Sequence, residues 1–106
     1  MRPVRFHPAA AIEAEEAAAW YSTERPGLGS QFGAAVEEAV TVLMQDTIPA
    51  TRYPHVPDDL NARRIRLKRF PYDLVFVPDG DGDGVEVVAV AHHRRLPDYW
   101  LARLDT

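Results

Sequence analysis

The sequence predicts a single α+β domain, residues 1–106, with its helices first and its sheet after them. Three observations carry this. The first half holds two helical segments, and the second of these has Phe32, Val36, Ala39, Val40, Leu43 and Met44 at the spacing of one helix face. The second half holds three runs that alternate or are β-branched, separated by short links. The two kinds of element are segregated rather than interleaved, which points to an αα-hairpin covering one face of an antiparallel sheet. A chain of 106 residues can bury one modest core without a covalent staple.

The elements follow in order. In PVRFH (Pro3–His7), Val4 and Phe6 share a side, as in a first strand. Pro8 suits the first turn of a helix, where its missing N–H removes no bond, and His7 leads the chain into that turn. AAAIEAEEAAAWY (Ala9–Tyr21) has high helix propensity, with Ala10, Ala14, Ala17 and Tyr21 on one stripe. Glu13, Glu15 and Glu16 fall in the early turns, where carboxylates favour the helix dipole. RPGLG (Arg25–Gly29) breaks this helix and opens the next, closing an αα-hairpin. From Asp46 to Asn61 the chain has no periodicity. Pro49, Pro54 and Pro57 stiffen this surface connection, and His55 has no evident partner in it.

ARRIRLKRF (Ala62–Phe70) alternates, with Ile65 and Leu67 one way and Arg64, Arg66 and Lys68 the other. YDLVFV (Tyr72–Val77) and GVEVVAVAHH (Gly84–His93) complete a three-stranded antiparallel meander. LPDYWLARL (Leu96–Leu104) reads as a short last helix.

Composition narrows the function classes. The absence of cysteine excludes disulfides and thiolate zinc sites. No apolar run reaches 18 residues, so a soluble, cytoplasmic protein with no membrane partner is expected. A net charge of -4 argues against non-specific nucleic-acid binding. The distribution is uneven, however: five cations and no acid lie between Asn61 and Tyr72. The four histidines include no helical i, i+4 pair, so no zinc pattern emerges and no cofactor is implied.

PDGDGDGVE (Pro78–Glu86) places Asp79, Asp81, Asp83 and Gly84 as the first half of a calcium loop would. The twelfth position is Val90, where a bidentate glutamate is needed, and the flanks read as strands. The stretch is therefore expected to be a glycine–aspartate hairpin loop with at most millimolar calcium affinity.

FHPAA running into a helix that ends AWY, RPGLGSQF opening the next, and RRIRLKRFPYDLVFV followed by VEVVAVAHHRRLPDYW together resemble the RelE/ParE superfamily of toxins from type II toxin–antitoxin modules. The similarity is greatest to the plasmid-stabilisation-like branch and covers nearly the whole chain. It implies two helices on a curved antiparallel sheet, and a cognate antitoxin as partner. It also implies a homodimer or a toxin–antitoxin heterotetramer. Two targets occur among such toxins. ParE-like members bind DNA gyrase, and RelE-like members cleave mRNA on the ribosome without a metal. A degenerate, non-toxic member is a third reading. The acidic balance of this chain favours the binding branch.

For RNA cleavage, the 2′-OH attacks the adjacent phosphate, a base and an acid move protons, and cations stabilise the phosphorane. Arg64, Arg66, Lys68, His93 and Arg94 are the candidates for that work. Arg69, Tyr72, Arg95, Tyr99 and Trp100 are candidates for contact with the target or the antitoxin, and in RNA cleavage Trp100 or Tyr99 could stack on a splayed base. Each has a structural alternative: a solvated arginine face, or packing for Tyr72. Alternation puts His92 and His93 on opposite faces. If Val88, Val90 and His92 run inward together, His93 is the one beside the arginines.

Overall fold

The computed structural model describes residues 1–46, 50–80 and 82–105. Among the described residues there are seven regular elements: β1 (Val4–Phe6), α1 (Pro8–Glu24), α2 (Leu28–Gln45), β2 (Thr51–Arg52), β3 (Arg63–Arg66), β4 (Tyr72–Pro78) and β5 (Val85–His92). Two short 3₁₀ turns, Asp58–Leu60 and Leu101–Asp105, complete them. The chain is α+β, as expected. Its five strands run in the order β1-β5-β4-β3-β2, wider than the meander alone. The meander β3-β4-β5 is antiparallel, and β1 joins its far edge parallel to β5.

His7 caps α1: its Nδ1 accepts from the Ala9 N–H at 3.0 Å, and Pro8 stands at the first helical position. Gly27, at φ 84°, turns the chain into α2, a left-handed conformation that a side chain disfavours. Just beyond it, Gly29 lies against the Ala18 carbonyl and Ser22, so close that any Cβ there would collide with them. The alanine-rich α1 and this glycine let the two helices approach closely and lie on the sheet together.

The helix-facing core gathers Ala10, Ala17, Phe32, Ala39, Leu43, Leu67, Phe70, Leu74, Phe76, Val85, Val87 and Val90. Its larger side chains each contribute roughly 1.5–3 kcal/mol by burial. The opposite face of the sheet is also covered. Tyr53, Ala62, Val75, Val77, Val88, Ala89, Ala91 and Trp100 form a second core beneath the C-terminal segment and the β2–β3 connection. Both faces of β4 and β5 are therefore buried, which explains why they read as nearly continuous apolar runs rather than alternating ones.

The expected last helix is a series of turns that ends in 3₁₀ geometry. Its function is to seat Trp100, at 0% exposure, in the second core. A β-bulge between β4 and β5 corrects the simple alternation. Val75 pairs with Ala89 but Phe76 with Val87, leaving Val88 as the extra residue. Val88 thus joins the second core while Val90 faces the helices.

β1 covers only the first part of β5, pairing Val4–Phe6 with Val85–Val87. Side chains complete the edge. Glu13 of α1 accepts from the Val90 N–H at 3.0 Å, and Arg103 donates to the Val88 carbonyl at 2.8 Å. Glu13 and Arg103 are paired to each other at 2.8 and 3.0 Å, and the Tyr99 hydroxyl donates to Glu13 at 2.7 Å. This clamp locks the C-terminal segment, α1 and the sheet edge into one unit. Glu13 lies beyond the first turn of α1, and its hydrogen-bond partners are Arg103, Tyr99 and the Val90 N–H.

In the Pro78–Glu86 stretch, Pro78 ends β4 and Val85 begins β5, so the acidic segment falls between the two strands of a hairpin. Asp79 accepts two hydrogen bonds from Arg5, at 2.9 and 3.1 Å. Asp81 of the calcium-like ladder lies outside the described residues. Among those described, no group of three or more His, Asp or Glu side chains could hold a metal ion. No helix among them is long and apolar enough to cross a membrane.

Candidate functional site: a cationic cleft around a buried aspartate

The site lies on the sheet face opposite the helices. Arg64 and Arg66, alternate residues on β3, project to that face, where β4 presents Asp73 directly opposite Arg66. His93 follows β5, tied down by its N–H to the Pro71 carbonyl at 2.9 Å. The cleft between them has a volume of about 350 Å³. Tyr53, His55, Arg95 and Leu96 are among the residues that line it.

Asp73 is the centre of this arrangement and is 5% exposed. Its Oδ1 lies 3.2 Å from His93 Nε2 and 3.8 Å from Arg66 Nε, and its Oδ2 lies 3.8 Å from Arg64 Nη1. An ionised carboxylate only accepts, so the ring nitrogen that meets it carries the proton. The Arg64 guanidinium also sits over the Tyr53 ring at 5.5 Å, which fixes its direction. Three arginines against one aspartate leave the cleft with a net positive charge, in a chain whose own net charge is -4.

The bulge-corrected strand puts His92 and His93 on different faces. His92 turns its ring edge to Tyr72 at 5.0 Å, on the helix side. Its Nδ1 accepts from the Arg94 N–H at 3.0 Å. His93 is the histidine that meets Asp73 beside Arg64 and Arg66, although His92 also lines the cleft.

Other sequence candidates stand elsewhere. Lys68 does not share the arginine face. The strand ends at Arg66, and Lys68 pairs with Glu38 of α2 at 2.6 Å. Arg69, at φ 68°, occupies the exposed turn between β3 and β4. Tyr72 is packed against Tyr21 and Phe32 in the helix-facing core, and burial pushes its phenol up from the ordinary value. Arg94 is exposed at the end of β5. Arg95 stacks on the Tyr99 ring at 3.9 Å. Tyr99 has its phenol pushed well up, by burial and by the hydrogen bond to Glu13. Trp100 is fully buried against Tyr53, so it presents no face for stacking on a base.

Sequence reasoning does not single out Asp73, and it reads Glu13 only as a helix-dipole residue. Asp73 was the one acid inside the apolar YDLVFV run, and a charge within a buried strand is a signal in itself.

The chain is thus a small α+β domain with an αα-hairpin on one sheet face and a charged cleft on the other. A solved chain described as "Chromosomal ParDE TA system from P. aeruginosa" shares this fold with a TM-score of 0.71. The match covers 87% of this chain and 96% of that one, at 20% identity, and so speaks to the fold. No curated protein matches the sequence. The family model described as "ParE toxin of type II toxin-antitoxin system, parDE" matches residues 4–97, and the chain belongs to that family.

Proposed function

We propose that this chain arrests growth by binding a protein target of the gyrase type, and that a cognate antitoxin neutralises it in the cytoplasm. One observation carries the choice of binding over RNA cleavage. The cations best placed for catalysis, Arg64, Arg66 and His93, already converge on Asp73. A phosphorane at the floor of the cleft would sit against the carboxylate of Asp73, and the histidine it would need is already engaged there. Trp100 is buried, which removes a stacking platform, and Lys68 is held away from the cleft.

The RelE-like reading keeps one argument in its favour. A carboxylate orienting a histidine, as Asp73 does His93, is the arrangement of a supported general base. Induced expression without antitoxin separates the readings. Gyrase-dependent DNA damage with intact transcripts is the expected outcome. Cleaved transcripts with prompt loss of translation would establish the nuclease, and unaffected growth from folded protein would establish a non-toxic member. Co-expression with the product of the adjacent gene is expected to restore growth. It is also expected to give a heterotetramer, or a dimer of the toxin alone, by light scattering.

A further inference from the structure

We propose that the cleft recognises an acidic peptide segment: Arg64 and Arg66 take a side-chain carboxylate of the partner, and Asp73 accepts one of its N–H donors. This rests on the protein-binding reading above and names the chemistry by which that partner is held.

Four observations lead to it. The cleft carries three arginines and one aspartate, an unbalanced positive charge in a concave site. Neither arginine is hydrogen-bonded to Asp73: both contacts are 3.8 Å, beyond hydrogen-bond range. The guanidinium groups are thus held near the cleft by charge, with N–H donors that Asp73 does not take up. Arg64 and Arg66 lie two residues apart on one strand, about 7 Å along it, so a carboxylate fits between or across them. Arg66 is the accessible member, its side chain 69% exposed, and Arg64 is braced on Tyr53.

Asp73 decides the class of ligand. A phosphodiester chain brings negative charge and acceptors to the point where Asp73 already supplies both. A peptide brings carboxylates for the arginines together with backbone N–H groups for the aspartate. In a nucleic acid the donors lie on sugar and base, apart from the charged phosphate, whereas an acidic peptide sets backbone N–H groups beside its carboxylates, and that is the pattern the floor matches.

The test is fluorescence anisotropy on the purified chain at physiological ionic strength. Three labelled probes are compared: an end-blocked alternating glutamate–alanine octapeptide, its glutamine counterpart, and a short oligouridylate of equal charge. Saturable binding of the acidic peptide alone is expected. Arg66→Ala should weaken it about tenfold, the size of one charged hydrogen bond. Arg64→Lys, which keeps charge but loses the fork, should weaken it less, and the distant Arg25→Ala not at all. Asp73→Asn should raise oligouridylate affinity relative to the peptide. No binding of the acidic peptide would overturn the proposal. So would binding indifferent to Arg66→Ala and Arg64→Lys, or tighter binding of the oligouridylate by the wild type. The growth assay fails independently: gyrase poisoning without peptide binding would sink this inference alone, and transcript cleavage with peptide binding would sink the target assignment alone.

Discussion

A carboxylate at 5% exposure, ringed by two guanidinium groups and an imidazole, sets what the cleft can hold. Glu13 plays the corresponding part at the sheet edge. Burial alone would raise its carboxyl. Hydrogen bonds from Arg103, Tyr99 and the Val90 N–H outweigh that and hold it below the ordinary carboxylate range. We expect Glu13→Ala to cost about 2–3 kcal/mol in urea unfolding, because it strands Arg103 and the Val90 N–H together. The pH dependence has a definite sign. A depressed folded-state value means the unfolded chain binds the proton more tightly, so the stabilisation is complete above the ordinary glutamate value of about 4.3. It is lost as pH falls below that value toward the folded-state one. The stability gap between wild type and Glu13→Gln should therefore shrink on acidification below roughly pH 4. A gap that is constant from neutrality to acid would show that Glu13 acts without its charge.

At the scale of the elements, the helical hairpin and the bulged strand do most of the positioning. Gly29→Ala should push α2 away from α1, because the new methyl meets the Ala18 carbonyl and Ser22. A loss of about 1–3 kcal/mol in thermal or urea unfolding is expected. An unchanged midpoint would mean that the helices separate at no cost. Much at this scale was readable beforehand. The spacing of Phe32 through Met44 located α2, and the three apolar runs located the meander. The faces of β5 were harder to read. Alternation presumes a regular strand, and the extra residue at Val88 moves every later side chain by one position. His93 was still placed beside the arginines because the bulge precedes both histidines. Lys68 was misplaced because regular pairing stops at Arg66, a boundary that periodicity does not mark. β2, two residues long, has no sequence signal of its own.

For the molecule as a whole, the second core is the feature the sequence concealed. Tyr53 and Trp100 lie 47 positions apart, in segments without periodicity, yet their rings meet at 5.3 Å. A sheet covered by one helical hairpin has a solvated face. This one is closed on that face too, and the closure holds the cleft's walls. Removing residues 99–106 should therefore abolish cooperative unfolding, whereas Trp100→Phe should cost much less than Trp100→Ala. The alanine change is expected to cost about 3–5 kcal/mol. The phenylalanine also removes an indole N–H that is buried without a hydrogen-bond partner among the described residues. Equal losses for the two substitutions would indicate that the ring's volume is not what holds the segment down.

Binding rather than cleavage is most directly tested with purified components. The chain is titrated into a gyrase supercoiling reaction, and in parallel into a translating ribosome reaction read by transcript integrity. Inhibited supercoiling with accumulated cleaved DNA, and intact transcripts, is the expected result. Gyrase that supercoils normally in a large excess of the chain, while transcripts are cut, would contradict it.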